Sequence, residues 1–387
     1  MRVLIHMGDP YPNEGPNAKR MRTFYEAFKE AGHDVCVLAP SNGEEEKEGL
    51  IGFKNVPLKS KSSLNRLMNQ FSIGFNSVKA AKKFGKADVV ITTSPPALIS
   101  IFGKRIAKKS KAKLVYDVRD IWPDVAWEMG SFSPKSMYSR VFEWNRNHML
   151  KHSDLVTAVS QGKVEKLSNY SPGSDVVFIT NGLDEKFLEN SENPELIEKY
   201  GLDKTFTCVY FGNLGMAQGL TQLLDIAKKT KERQMPVSFL LFGSGVEEKK
   251  LKMYAEESNL DNVLFPGRLP NADMYTVLKH AGMSFVPLVN KNLTDSVPTK
   301  LYEALGVGCP VLLAAAGESA NIVNESKLGI AVMPNDDEAL WQAFEQIYEN
   351  NDSFLKMRDY GRKVILEKYS RQKAAKQMVE EITKRFG

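Results

Sequence analysis

A lysine and a glutamate lie three residues apart at the predicted start of a short helix, in the stretch DSVPTKLYEALGVGCPVLLAAAGES (residues 295–319). Pro298 and Thr299 suit the first positions of a helix, because proline is tolerated where no backbone N–H is needed and threonine can cap. Lys300 and Glu303 then share one side of the first turn. A helix start carries roughly half a positive charge and free amides. The arrangement predicts a site for a ligand with both phosphates and hydroxyls, as in a sugar nucleotide.

The elements that must position this helix alternate between short apolar strands and helical segments. Predicted strands run over residues 3–5, 35–38, 88–92, 113–118, 154–159 and 176–180 in the first half, and over 207–211, 238–242, 263–265, 284–287, 311–314 and 330–332 in the second. Near-continuous runs of Val, Ile and Leu between helices indicate parallel sheets covered on both faces. We therefore predict an α/β fold with two doubly wound, Rossmann-like domains that face a central cleft.

The predicted domain junction lies where the rhythm of strands and helices loosens, in the polar and acidic segment of residues 183–200. A chain of 387 residues is too long for one ordinary core. We predict an N-terminal domain of residues 1–188 and a C-terminal domain of residues 189–369. The last helix, residues 370–387, is expected to pack back on the N-terminal domain.

The net charge of +5 hides a basic segment, because residues 54–113 hold 14 lysines and arginines and a single acid, Asp88. Leucine, methionine and phenylalanine alternate with the basic residues over positions 58–86, a pattern that suits an anionic membrane surface. A solvated basic face without a partner is the alternative. We do not expect nucleic acid as the partner, because the chain has no helix-turn-helix, zinc or RNA-binding signature.

Neither secretion nor a membrane-spanning helix is expected from the sequence. The chain has no run of 18 apolar residues, and its first residues, MRVLIHMGDPYP, are too polar for a signal peptide. Cys36, Cys208 and Cys309 lie singly in apolar, strand-like settings and resemble buried small hydrophobic residues in a reducing compartment. We predict a cytoplasmic protein that associates peripherally with the inner face of the cell membrane.

Three motifs, in their order along the chain, resemble those of one enzyme family. Residues 117–124 (DVRDIWPD) are similar to D-V-R-D-L-W-P-E, residues 212–219 (GNLGMAQG) to G-x-L-G-x-A-Q-G, and residues 298–303 (PTKLYE) to P-S/T-K-hydrophobic-aromatic-E. Over nearly its whole length the chain resembles the retaining glycosyltransferases of family 4, which have the two-domain GT-B architecture. The motifs are similar to those of a branch that transfers N-acetylated amino sugars, such as N-acetyl-L-fucosamine, in bacterial surface polysaccharide assembly.

The resemblance implies roles for the residues of the predicted helix start and of the glycine-rich loop. The Glu303 carboxylate would accept the ribose 2′ and 3′ hydroxyls, and Lys300 would bind the diphosphate. Many family members have an Arg and a Lys in the glycine-rich loop, where this chain has Asn213 and Gln218. Backbone amides near Gly215 still favour phosphate. We therefore expect Lys300 to be the main positive charge on the diphosphate, helped by Arg268.

Further residues of the C-terminal half are predicted to complete the donor site. Pro298 and Thr299 are predicted substrate-binding residues. Asp295 takes the place of the first of two family glutamates and would lie near the transferred sugar, or would only cap its loop. Gly243 would leave backbone room near the base, and the main chain of Arg268 and Leu269 would contact the base.

One more candidate follows the predicted strand 311–314. Gly317 and Glu318 resemble a G-E pair that closes the donor pocket, and the alternative for them is an ordinary turn after the strand. Glu318 is therefore a predicted substrate-binding residue.

In the N-terminal half, Glu14-Gly15-Pro16-Asn17 matches the family loop that approaches the sugar and diphosphate, so Gly15 and Asn17 are predicted to bind substrate. Many relatives have a histidine after the central strand, where this chain has Arg119 and then Asp120. Asp120 would orient Arg119 or contact the sugar or the acceptor. Alternatively, the two residues form a structural ion pair.

The predicted activity is the retaining transfer of a sugar from a UDP-sugar to a saccharide carried on a polyprenyl diphosphate, in O-antigen or capsule synthesis. Asp120, Arg119, Asp295 and Lys300 are the candidate catalytic residues. We expect no metal and no cofactor, and His148 and His152, four apart, lack a third ligand pattern. A GT-B-fold UDP-sugar epimerase and a catalytically weakened nucleotide-sugar-binding protein stay open as alternatives.

Overall fold

Two parallel β-sheets, each covered by helices, organise the chain in a computed structural model that describes residues 1–11, 15–41, 48–54 and 63–387. Each sheet belongs to its own compact unit. Unit 1 consists of Met1–Asn181 and Arg371–Gly387, and unit 2 consists of Gly182–Ser370. The predicted fold class, an α/β protein with two doubly wound parallel-sheet domains, is confirmed.

Unit 1 contains seven of the described strands in the spatial order β3-β2-β1-β4-β5-β6-β7. These strands are β1 (Arg2–His6), β2 (Asp34–Ser41), β3 (Leu50–Lys54), β4 (Val89–Ser94), β5 (Lys113–Val118), β6 (Leu155–Ala158) and β7 (Val176–Phe178). The helices are α1 (Pro16–Glu30), α2 (Ser63–Ala80), α3 (Ile99–Ser110), α4 (Asp124–Glu128), α5 (Met137–His152), α6 (Gln161–Tyr170) and α16 (Arg371–Phe386), and Ala81–Lys83 form a 3₁₀ turn. Helix α16 packs on α1, and both contribute to one apolar core.

Unit 2 contains six of the described strands in the order β10-β9-β8-β11-β12-β13. These strands are β8 (Phe206–Asn213), β9 (Val237–Ser244), β10 (Val263–Gly267), β11 (Met283–Pro287), β12 (Val311–Ala314) and β13 (Gly329–Val332). The helices are α7 (Pro194–Tyr200), α8 (Thr221–Glu232), α9 (Glu248–Glu257), α10 (Asn271–His280), α11 (Thr299–Val307), α12 (Glu318–Ser326), α13 (Asp337–Glu349), α14 (Asn351–Lys356) and α15 (Arg358–Lys368), with 3₁₀ turns at Glu185–Glu189 and Met216–Gln218.

In each sheet the strand order reverses at one point. The reversal lies between β1 and β4 in unit 1 and between β8 and β11 in unit 2. In open α/β sheets, ligands bind outside the carboxyl ends of the strands at such a point. The loops that follow β1, β4, β8 and β11 are therefore the places where each fold favours a site. In the ranges that the structure describes, no helix is long and apolar enough to cross a membrane.

The predicted strands overlap observed ones, and the strands predicted over residues 113–118 and 311–314 have the bounds of β5 and β12. The sequence does not predict β3. Gly52 interrupts its short apolar run, and the strand lies at the sheet edge, where it pairs with β2. Its pairing is therefore set by the neighbouring strand more than by its own residues.

A buried ion pair joins α1 to the centre of the sheet in unit 1. The Arg20 guanidinium donates to the Asp117 carboxylate at 2.8 Å, and both side chains are almost completely buried. Arg20 also donates to the carbonyls of Ile179 and Thr180. Burial disfavours the charged carboxylate, but Arg20 and a hydrogen bond from Thr157 hold the pKa of Asp117 below its usual value. This satisfied network fixes α1 against the sheet.

His6, on β1, is buried and neutral. Ser77 donates its hydroxyl proton to the Gly74 carbonyl at 2.8 Å, so its oxygen accepts from His6 Nε2 at 2.9 Å. His6 Nδ1 is then left to accept from the Thr92 hydroxyl at 3.1 Å. Burial lowers the pKa of His6 to about 3, because the charged ring would lose its hydration.

We predict that protonation of His6 in the unfolded chain destabilises unit 1 as the pH falls. The pKa is lowered on folding, so below about pH 6.5 the unfolded state binds a proton that the folded state excludes. Between pH 7 and pH 5 this lowers the free energy of unfolding by about 2 kcal/mol. Urea unfolding monitored by the fluorescence of Trp122, Trp127 and Trp144 measures this loss.

The matched variant is His6→Gln, whose amide can donate and accept but does not titrate. Other titrating groups are the same in both proteins and cancel in the comparison. The wild type should therefore lose about 2 kcal/mol more than the variant over this pH range. Parallel pH profiles for the two proteins would contradict a buried neutral His6.

Candidate functional site

The glycine-rich loop of residues 212–219 begins with the last two residues of β8. It lies against the end of β9, with backbone in contact with backbone. A Cβ atom on Gly243 would lie 1.8 Å from the Gly212 carbonyl oxygen, and one on Gly245 would lie 2.2 Å from the Leu214 carbonyl oxygen. Gly243 also has a φ of +143°. Side chains are therefore excluded at both positions, and the close contact fixes the loop at the carboxyl edge of the sheet.

Asn213 and Gly215 both lie in this loop. Asn213 is exposed, and its carbonyl accepts a hydrogen bond of 2.6 Å from the Tyr210 hydroxyl. Gly215 is buried and precedes the 3₁₀ turn Met216–Gln218, after which α8 begins. Tyr210 was not singled out in the sequence, because an aromatic residue inside an apolar strand looks like an ordinary core residue. The structure gives it a second contact, with Lys300.

Lys300, in the first turn of α11, reaches this loop. Its Nζ lies 4.1 Å from the centroid of the Tyr210 ring and 3.5 Å from Gln218 Oε1. It also lies 3.2 Å from the place that a Cβ atom of Gly212 would occupy. An aromatic face and an amide oxygen attract an ammonium only weakly compared with a carboxylate. The cation is therefore held beside the loop without an ion-pair partner among the described residues.

The environment of Lys300 changes its protonation. Burial lowers the pKa of Lys300 to about 7, and the negative charge of Glu303 offsets only part of this effect. An anionic group placed next to Nζ would favour the charged form and raise the pKa again. The site therefore gains charge when it binds an anion.

Glu303 lies on α11 three residues after Lys300 and is half-buried. The opposite face of α11 packs into the core of unit 2 through Leu301, Ala304 and Leu305. This packing leaves Lys300 and Glu303 on the face of the helix that is not in the core. The helix begins where predicted, but Pro298 occupies the N-cap position without a side-chain capping bond and Thr299 is the first helical residue, so the threonine is not the cap.

Asp295 lies in the loop that joins β11 to α11 and is almost completely buried. Hydrogen bonds on both sides hold this loop against the start of α12. The Thr294 carbonyl accepts from the Glu318 backbone N–H at 2.8 Å, and the Ser296 carbonyl accepts from the Ser319 hydroxyl at 2.7 Å. Asp295 and Glu318 are therefore brought together at the carboxyl ends of β11 and β12.

Arg268 and Leu269 follow β10. Arg268 is exposed, and its Nε donates to the Ser244 hydroxyl at 2.7 Å, which ties it to the end of β9. Leu269 is partly buried against the core of unit 2. The predicted site residues of unit 2 thus follow the carboxyl ends of five neighbouring strands, β8 to β12, around the point where the strand order reverses.

In unit 1, Gly15 and Asn17 lie at the start of α1. Gly15 is the N-terminal cap of the helix, and Glu14, named with it in the sequence motif, lies outside the described residues. Asn17 is buried and donates from Nδ2 to Asp9 at 2.5 Å. Its Oδ1 is buried with no hydrogen-bond partner among the described residues. An unsatisfied buried acceptor at this loop suits contact with a ligand donor.

Arg119 and Asp120 follow the carboxyl end of β5. Arg119 Nη2 donates to the Pro95 carbonyl at 3.2 Å, while its Nε is buried without a partner in the described part of the chain. No hydrogen bond or ion pair of the described residues joins Arg119 to Asp120. Burial lowers the pKa of Arg119, and the negative charge of Asp120 opposes this effect, so the two side chains interact electrostatically without a direct bond.

The three acids of the motif at residues 117–124 have different surroundings. Asp117 is the partner of Arg20, as described above. Asp124 is also buried, where it accepts from Arg146 at 2.6 Å and from the Tyr170 hydroxyl at 2.6 Å. Both of these acids are engaged in structural contacts. Asp120 is the motif carboxylate that remains available for a ligand.

The two histidines that are four residues apart, His148 and His152, each lie within hydrogen-bond distance of another residue. His148 Nε2 lies 2.7 Å from Lys104 Nζ, and His152 Nδ1 lies 2.8 Å from the His148 carbonyl. No group of three or more His, Cys, Asp or Glu residues that could hold a metal ion occurs in the ranges 1–11, 15–41, 48–54 and 63–387.

Each of the two units matches a model of a known protein family. The family model "Glycosyltransferase Family 4" matches residues 18–187, and "Glycosyl transferases group 1" matches residues 192–364. The chain is 24% identical over 305 residues to the "Probable glycosyltransferase WbjE" of Pseudomonas aeruginosa. The match covers 76% of this chain and 76% of that protein.

Solved structures share the fold over nearly the whole chain. Anabaena HepE in complex with UDP-glucose matches with a TM-score of 0.74 at 16% identity and covers 98% of this chain and 99% of its own. WaaG, a glycosyltransferase involved in lipopolysaccharide biosynthesis, matches with a TM-score of 0.74 at 15% identity and the same coverage.

We predict that the affinity of the chain for UDP falls on the alkaline side of pH 7. Lys300 must be protonated to hold the diphosphate, so above its pKa of about 7 binding takes up a proton. The dissociation constant should rise toward tenfold per pH unit between pH 7 and pH 8.5. Calorimetric titration in buffers of different ionisation enthalpy measures both the affinity and the proton uptake.

The matched control for this titration is Lys300→Arg, because arginine stays charged across this range. The variant should bind UDP with a flat pH profile and without proton uptake. If the wild type also bound UDP without proton uptake at pH 8, Lys300 would not be the group that receives the diphosphate.

Proposed function

The chain belongs to the glycosyltransferases with the GT-B fold, and we propose that it transfers a sugar from a UDP-sugar to a hydroxyl of a lipid-linked saccharide, with retention at the anomeric carbon. Unit 2 binds the donor. Unit 1 provides the acceptor side, through Asp120, Arg119, Asn17 and Gly15.

The observation that carries this proposal is the placement of Lys300 and Glu303 on one helix start beside a glycine-rich loop. A diphosphate bound there accepts from loop amides and from Lys300. A ribose bound one turn further along α11 donates its two hydroxyls to Glu303, since one carboxylate can accept both. Together these groups recognise the two parts of a nucleoside diphosphate that all UDP-sugars share.

In the proposed reaction the acceptor oxygen bonds to the anomeric carbon as the bond from that carbon to the β-phosphate oxygen breaks. The departing phosphate oxygen takes the proton of the acceptor hydroxyl, so the new bond forms on the face that the diphosphate leaves. Lys300 and the amides at the start of α11 stabilise the charge that develops on the diphosphate. These charges perform the role of a metal ion, and Arg268 assists them. Asp295 and Glu318 lie beside the transferred sugar.

The basic segment of unit 1 supports a lipid-linked acceptor. Of residues 54–113, positions 55–62 lie outside the described residues. On α2 the large apolar side chains of Met68, Phe71 and Phe75 are exposed. Exposed apolar side chains among lysines and arginines favour an anionic membrane face. These features support the proposal that the protein binds peripherally to the inner surface of the cell membrane and uses a polyprenyl diphosphate saccharide as acceptor.

The sugar is proposed to be an N-acetylated amino sugar. This rests on the motif at residues 117–124 and on the sequence PTKLYE at residues 298–303, which resemble the branch that transfers such sugars. A place in O-antigen or capsule synthesis fits the similarity to WaaG.

We predict that Glu303→Ala weakens binding of both uridine and UDP, whereas Lys300→Met weakens UDP alone. Loss of hydrogen bonds to a charged group costs about 1.5–3 kcal/mol, or roughly 10- to 150-fold in affinity. Uridine has the ribose but no phosphate, so it does not use Lys300. Calorimetry of both ligands with both variants measures this difference.

The control variant is Glu248→Ala, which removes a glutamate from the first turn of α9 and should leave both affinities unchanged. Unchanged uridine affinity in Glu303→Ala, or equal losses of uridine and UDP affinity in Lys300→Met, would contradict the assigned orientation of the nucleotide.

Transfer itself is tested with purified chain, UDP-N-acetylamino sugars and a polyprenyl diphosphate saccharide. We expect sugar transfer with retained anomeric configuration, and we expect Asp120→Asn to lower kcat by at least tenfold while UDP affinity stays within twofold. Conversion of the donor to an epimer without an acceptor would contradict the proposal and favour an epimerase. Tight UDP binding without any transfer would favour a binding protein.

A further inference from the structure

A pocket lies in unit 1, between the end of α3 and the segment where α2 passes into the 3₁₀ turn Ala81–Lys83. Its volume is about 520 Å³, within the range of small-molecule sites. Val78, Ala81 and Ile106 form its apolar wall. Its lysines come from both sides, two near the 3₁₀ turn and two at the end of α3: Lys82, Lys86, Lys109 and Lys111.

These lysines have no counter-charge in the pocket. None of the four makes an ion pair or a side-chain hydrogen bond within the described part of the chain, and no acid is among the described residues that line the pocket. The nearby acids have other partners, since Asp34 pairs with Arg2 and Asp88 accepts from the Arg2 backbone N–H. A space of this volume is about 10 Å across, close to one Debye length, so the four charges repel one another.

Helix ends explain only part of this arrangement. The carboxyl end of a helix favours a cation by about 0.3–1 kcal/mol, which accounts for a lysine at the end of α3. Lys86 follows Gly85 in the loop before β4, so it is outside the last turn of either helical element. A concave, partly apolar space that is lined by positive charges from two elements suits an anion with an apolar portion.

The pocket is separate from the site residues of unit 1. Lys86 and Lys111 precede β4 and β5, so the pocket lies at the amino edge of the sheet. Asn17, Arg119 and Asp120 follow the carboxyl ends of the parallel strands β1 and β5. Six-residue strands span roughly 20 Å, which is too far for one small ligand to reach both edges.

We propose that this pocket binds a phosphate ester, with the phosphate between Lys82, Lys86, Lys109 and Lys111 and its organic part against Val78, Ala81 and Ile106. A phosphate carries up to two negative charges and three acceptor oxygens, which matches several ammonium donors better than a carboxylate does. A phospholipid headgroup and a free phosphate ester share this chemistry. The proposal does not depend on the assigned donor site, because its residues lie in the other unit.

The test has two arms, both at saturating UDP so that the proposed donor site is occupied. In the first arm, glycerol 3-phosphate is titrated into the full-length protein in a calorimeter. In the second arm, the protein is sedimented with phosphatidylcholine vesicles that contain or lack phosphatidylglycerol. The pocket variant is Lys82→Ser/Lys109→Ser, and a second pocket variant, Lys86→Ser/Lys111→Ser, covers the case in which the first does not fold.

The matched control is Lys79→Ser/Lys108→Ser, which removes the same charge from α2 and α3 outside the pocket lining. We expect a pocket variant to lose at least tenfold in affinity and the control to lose less than threefold. Such a difference for glycerol 3-phosphate identifies a free ester as ligand, and a difference for anionic vesicles alone identifies a lipid headgroup. Absence of binding in both arms, or similar losses in pocket and control variants, would overturn the proposal. UDP affinity, measured separately, reports on the donor site.

Discussion

The site in unit 2 depends on an ammonium group that is partly withdrawn from water and that no carboxylate of the described residues contacts. Lys300 Nζ lies over the Tyr210 ring, 3.5 Å from Gln218 Oε1, and burial lowers its pKa to about 7. The contact requires the glycine-rich loop to come close, and Gly212 and Gly243 permit this because a side chain at Gly243 would meet the Gly212 carbonyl. Desolvation destabilises the charged form of Lys300 in the free protein, and the attraction of a bound anion offsets this cost.

Unit 1 uses similar residues for two different purposes. Asp117 is neutralised by Arg20, which holds α1 on the sheet, and Asp124 is neutralised by Arg146, which joins α4 to α5. Asp120, between them in sequence, makes no such contact within the described residues and lies at the carboxyl edge. At the opposite edge, four lysines line a pocket that has no acid among its described lining residues. We therefore propose that the carboxyl edge of this sheet offers a carboxylate to a hydroxyl and that the amino edge offers positive charge to an anion.

The sequence predicts the fold and the start of α11 because both depend on local patterns. The buried runs at residues 113–118 and 311–314 give strands with the observed bounds, and α11 begins at Thr299, within the predicted helix start. Contacts between distant residues are not predictable in this way. The ion pair of Arg20 with Asp117 joins residues 97 positions apart, and the place of Tyr210 beneath Lys300 depends on how β8 meets α11. The assigned roles of the site residues remain predictions.

The central claim is that Lys300 supplies the charge that receives the diphosphate. It is tested most directly by NMR titration of the ¹³Cε resonance of Lys300, assigned by its absence in Lys300→Arg, with and without saturating UDP. We expect a pKa near 7 in the free protein and a value at least one unit higher with UDP bound. A pKa that is ordinary for lysine in the free protein, or one that UDP does not change, would contradict it.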